Sequence, residues 1–167
     1  AARLRRLVLN DVGPWVPSAA LVRIGEHLGR DPSFEDLDAA ETYLRRVRSG
    51  SGALTSDQWR RMTTRTVRPA AAGGYRLHYD PNLAVRYRDT SLRDLDVWDT
   101  WDAVTCPVLV LRGAESDFLL AETTREMARR GPGARVVEIE GCGHAPPLVD
   151  PAQFAPLLDW LGPPVRG

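Results

Sequence analysis

The sequence predicts an α/β fold in which a few parallel strands with flanking helices are interrupted by an inserted, mostly helical segment. Three observations carry this. An apolar run beginning at Pro107, in the string PVLVLRGAESD, ends in a turn that leaves Asp117 at its tip. A second apolar run, residues 134–140, ends in the glycine-flanked string GCGHAP, which presents His144. Between them, residues 120–130 carry apolar side chains at helical spacing, so the unit reads strand, turn, helix, strand, turn. Parallel strands joined by a right-handed crossover bring both turns to one edge of the sheet. Open parallel sheets place their sites at that carboxyl edge, so an Asp and a His far apart in sequence can meet there.

Taken in order, the chain opens with residues 3–9, a strand-like run that ends near Asp11 and has no earlier element to pair with, as if cut in mid-sheet. Asp11 has a structural reading of its own, as the side-chain acceptor of an Asx-type turn into Gly13 and Pro14. Residues 1–14 are therefore read as a first core strand. Residues 15–101 form the insertion, helical and loop-rich, with no alternating run long enough for a sheet strand. Helices are expected over residues 17–28, 33–47 and 55–64. Ser33 with Asp36, and Thr55 with Gln58, are capping patterns before apolar runs. Residues 49–53 and 69–74, rich in Gly, Ser and Ala, read as flexible links. His27 and His78 lack a carboxylate or cysteine at useful spacing and read as surface or packing residues. The arginines of the second and third helices alternate with acids, which suits a solvated face. Residues 102–167 complete the core and close with a proline-initiated helix over 150–161.

The 22 acidic residues balance the 22 basic ones, all of them Arg, so no net field draws nucleic acid or an anionic membrane. A small, uncharged substrate is the expected partner. No stretch approaches the roughly twenty apolar residues of a membrane span, and the first residues lack the apolar core of a signal peptide. Cys106 and Cys142 are too few for a disulfide framework and have no metal-ligand spacing around them. These features suit a reduced, cytoplasmic protein that uses neither cofactor nor metal.

The order Asp then His after the last two strand runs, in RGAESD and GCGHAP, resembles the carboxyl-terminal portion of an α/β-hydrolase fold enzyme. The resemblance implies a partial α/β-hydrolase fold, with residues 15–101 as a lid that excludes water during turnover. It also implies a catalytic triad in the chain order nucleophile, acid, base, with Asp117 as acid and His144 as base. Asp11 competes for the acid role, because certain haloalkane dehalogenases carry their acid at the corresponding strand end. Trp15, Trp98, Trp101, Phe118 and Leu148 are expected to line the substrate pocket; for Trp98 and Trp101, three apart on a helix, packing onto the core is the other reading. The Gly-x-Ser-x-Gly elbow that would carry a nucleophilic serine is absent, and the nearest string, SGSG at residues 49–52, lacks its spacing and its preceding strand. The expected function is hydrolysis of a small apolar ester or related carbonyl substrate, with the nucleophile supplied from outside these residues. Two alternatives stay open. One is an aspartate nucleophile, as in dehalogenases and epoxide hydrolases; the other is a truncated, non-catalytic fragment whose first strand, left as an exposed edge, favours a homo-oligomer.

Overall fold

The computed structural model describes residues 4–87 and 93–162. In chain order the elements are β1 (Leu7–Asn10), β2 (Trp15–Val16), α1 (Ser18–Gly25), β3 (Ser33–Phe34) and α2 (Leu37–Val47). There follow α3 (Ser56–Thr66), β4 (Val67–Pro69), β5 (Tyr75–Leu77), a 3-10 helix (Pro81–Tyr87), β6 (Leu95–Asp96) and α4 (Trp98–Asp102). The chain then runs through β7 (Val108–Gly113), α5 (Ala121–Met127), β8 (Arg135–Ile139) and α6 (Pro151–Leu161). The described residues among 1–18, 50–52 and 94–167 form one compact unit, and those among 19–49 and 53–93 form another.

The first unit is built on a parallel sheet in the order β1-β7-β8. All six residues of β7 are buried, as the apolar run of its first four requires of a strand covered on both faces. Val108 and Val110 pack with Trp101, Leu119, Met127 and Ala134 in one cluster, while Leu109 and Leu111 point to the other face with no exposed surface. Because the strands are parallel, the chain leaves all three at one edge. Asp11 follows β1, the turn 114–119 follows β7, and the histidine turn follows β8. A short antiparallel pair, β2 with β6, lies in the same unit.

The second unit is where the expected elements change most. Residues 33–47 do not form one helix: Ser33 and Phe34 make β3, and α2 starts later, with Asp36 as its N-cap accepting from the Ala39 N–H. Phe34 is drawn into pairing with Tyr75, so the capping role passes from Ser33 to Asp36. The sheet β3-β5-β4 is antiparallel, in a region expected to lack strands, and its strands of two or three residues are too short to show alternation. Thr55 and Gln58 form the expected capping box at the start of α3. Phe34, Ala40, Leu44, Trp59, Met62, Val67 and Leu77 make this unit's own core.

Candidate active site

Asp11 lies one residue beyond β1, fully buried, in the left-handed region at φ 56°. Aspartate tolerates this conformation better than most residues, and here it stands beside the end of β7. Its Oδ1 accepts the Gly113 N–H at 2.9 Å. Its Oδ2 accepts the Ser116 hydroxyl at 2.6 Å and the Ala145 N–H at 3.1 Å, and lies 2.8 Å from Nδ1 of His144. The Ser116 oxygen itself accepts from the N–H groups of Phe118 and Leu119, so its proton is directed to Asp11. With hydroxyl and amide donors on both carboxyl oxygens, the imidazole proton belongs on Nδ1, which leaves Nε2 with its lone pair.

His144 keeps 23% of its side chain exposed, and the ring of Phe118 stacks on it with centroids 4.1 Å apart and planes at 27°. The next residue, Ala145, has φ 57°, a conformation that costs a non-glycine residue about 1–3 kcal/mol and persists only where surrounding contacts fix it. Those contacts are visible. The Gly143 N–H donates to the Gly50 carbonyl at 2.8 Å, and the Gln153 amide donates to the Ser51 carbonyl at 3.2 Å. Residues 50–52, expected to be a free link, are thus docked against the histidine turn, which small residues on both sides permit. The same Gln153 amide lies 3.3 Å from Cys142 Sγ, and burial pushes the Cys142 thiol above its ordinary range.

Where Asp117 was the expected partner of His144, Nδ1 of His144 faces Asp11, the alternative acid. The reason lies in the turn after β7. Arg112, buried at the end of an otherwise apolar strand, donates to the carbonyls of Ala114 and Leu119 and to Glu138, folding the turn back on itself. Ser116 is thereby turned inward to Asp11, and Asp117 falls on the exposed side. Ser116, Arg112 and the N–H groups of Gly113 and Ala145 were not foreseen. A lone arginine within the run VLVLRG was the one available sign, since an arginine is buried only where its donors find acceptors.

The aromatic residues separate. Phe118, expected in the substrate pocket, stacks on the histidine. Trp101 belongs to the core cluster, with its indole N–H given to the Arg130 carbonyl at 3.0 Å, and Trp98 packs against the same cluster beneath the Arg130 guanidinium. These contacts are those of the packing reading of the pair. Trp15 and Leu148 are half-buried, Trp15 in β2 and Leu148 in the histidine turn at φ 53°. Among the described residues no group of three or more His, Cys, Asp or Glu is placed to hold a metal ion, and no helix is long and apolar enough to cross a membrane.

Residues 1–157 match the profile of the Alpha/beta hydrolase family. The chain is 39% identical to a 3-hydroxybutyrate-oligomer hydrolase of Cupriavidus necator, covering 91% of this chain and 55% of that protein. Among solved structures, an alpha/beta hydrolase from Novosphingobium aromaticivorans superposes with a TM-score of 0.81 at 34% identity, covering 93% of this chain and 56% of that one. A protein from Rickettsia typhi superposes with a TM-score of 0.84 at 27% identity, covering 95% and 53%. The chain spans about half the length of each of these relatives. Sheet order, the acid and histidine at one strand edge, and the family match lead to one conclusion: the chain belongs to the alpha/beta hydrolase family.

Proposed function

We propose that this chain supplies the acid and the base of an ester hydrolase, with Asp11 as acid, His144 as base and a nucleophile outside residues 1–167. The single observation that carries this reading is the 2.8 Å contact between Asp11 and His144 Nδ1, made while both carboxyl oxygens accept other donors. In such an arrangement the acid fixes one tautomer, and Nε2 takes the proton of a nucleophilic hydroxyl and returns it to the leaving alcohol. Asp11 stabilises the imidazolium formed between the two steps. Phe118, stacked on the imidazole, restricts the ring's rotation; Trp15 and Leu148 are the further residues proposed for the substrate pocket. Residues 15–101 serve as the lid that keeps water out during turnover.

Esters of short hydroxy acids are the substrate class favoured, because the Cupriavidus necator relative is named for such oligomers. A serine nucleophile is favoured over an aspartate for the same reason, although an acid at this strand end is also a haloalkane-dehalogenase trait. The full-length protein should hydrolyse 3-hydroxybutyrate dimer and p-nitrophenyl butyrate, and His144→Ala should abolish both. Residues 1–167 alone should turn over neither. Turnover by this chain that disappears in His144→Ala would place a nucleophile inside it and overturn the division of labour proposed.

A further inference from the structure

We propose that the second unit holds a binding site for a small monocarboxylate, in a cavity of about 330 Å³ lined by Arg23, His27, Arg30, Tyr43, Arg46 and Val47. It stands on this cavity alone, whether or not the ester-hydrolase reading does. Helix α2 presents two faces. On one, Asp38, Glu41 and Arg45 recur at helical spacing, and Glu41 holds Arg45 at 2.8 Å while Arg60 bridges Asp38 and Glu41. On the other, Tyr43, Arg46 and Val47 face the cavity. The acids of α2 are thus engaged away from it, and Asp31 is likewise engaged with Arg76.

Among the described residues no carboxylate lines the cavity, and Arg30 and Arg46 form no ion pair. The Arg46 guanidinium lies instead over the Tyr43 ring, 5.5 Å from its centroid. Guanidinium groups carry donors only, in a planar fork that matches a carboxylate. Arginines near helix C-termini also have a bland role, offsetting the macrodipole. The magnitudes decide between the two. Helices α1 and α2 contribute about −0.5 charge each at their C-termini, which the positive charges of Arg30 and Arg46, neither of them in an ion pair, outweigh. The excess is positive, which calls for an anionic ligand.

The apolar surfaces of Val47 and the Tyr43 ring give a short alkyl chain something to rest on, and the volume falls at the small end of ligand sites, about 300–1,000 Å³. Short-chain acids and hydroxy acids are the ligands of this description. The test is an NMR titration of the 167-residue chain with butyrate and with 3-hydroxybutyrate, at constant ionic strength held with chloride. Saturable shifts confined to the neighbourhood of Arg30, Tyr43 and Arg46 are expected. Both Arg30→Gln and Arg46→Gln should weaken binding at least about tenfold, the scale of one charge-assisted hydrogen bond. Both side chains are exposed, so the variants should keep the parent spectrum elsewhere. Absence of saturable shifts, equal binding of 1-butanol, unchanged affinity in both variants, or tighter binding of inorganic phosphate would each overturn the proposal.

Discussion

Asp11 shows how much of a site is decided by main-chain donors. Its carboxylate satisfies the Gly113 and Ala145 N–H groups and the Ser116 hydroxyl, all at a buried position. Asp11→Ala would strand those donors, at about 1–3 kcal/mol for each left unpaired, so a loss of several kcal/mol in urea unfolding is expected. Ser116→Ala removes one donor from Asp11 and the acceptor for two N–H groups, and should cost less than Asp11→Ala, about 1–3 kcal/mol. Cys142 gives a pH dependence of known sign. Burial raises its thiol in the fold, so its contribution is complete below the ordinary thiol range and is lost as pH rises through the raised folded value. Iodoacetamide at neutral pH should accordingly label the half-buried Cys106 first and spare Cys142 until the chain unfolds. In the sequence, Asp11 and Asp117 both stood after strand runs, and the resemblance favoured Asp117. What separates them is the left-handed φ of Asp11 and the inward turn of Ser116, neither of which a string of residue types encodes.

At the scale of elements, the long apolar runs were legible and the short strands were not. The runs read at 4–10, 107–112 and 135–140 are β1, β7 and β8 within a few residues, because each holds enough consecutive apolar residues to be read, although of the three only β7 is buried throughout. In β3, β4 and β5, two or three residues carry no period, and cross-strand pairing with distant partners made them strands. Local capping fared unevenly. The Thr55 and Gln58 box formed, whereas Ser33 lost its role once Phe34 was paired. Thr55→Ala should cost about 1 kcal/mol, measured as a lowered unfolding midpoint. The contact between β7 and the histidine turn is tighter. A Cβ on Gly113 would stand 2.0 Å from the Gly143 carbonyl oxygen and 2.6 Å from that of Cys142, both main-chain atoms with little room to yield. Gly113→Ala should therefore destabilise the chain by at least about 1–3 kcal/mol and weaken the hydrogen bond between His144 and Asp11, seen as loss of its low-field imidazole N–H resonance.

For the whole molecule, the parallel order β1-β7-β8 is what brings residues separated by more than a hundred positions to one edge. Fold class and the strand edge where Asp11 and His144 meet were legible in the sequence, because strand order and the carboxyl-edge rule are set by a few long runs. The docking of residues 50–52 on the histidine turn was not, since glycine-rich strings look alike whether free or held. The central claim, that Asp11 rather than Asp117 serves His144, is tested most directly by kcat for ester hydrolysis in the full-length protein carrying Asp11→Asn or Asp117→Asn, each shown by circular dichroism to be folded. Asp11→Asn should lower kcat about 10⁴-fold, as removal of the orienting acid does in other triads, while Asp117→Asn stays near the parent value. A tolerated Asp11→Asn alongside a collapsed Asp117→Asn would contradict it.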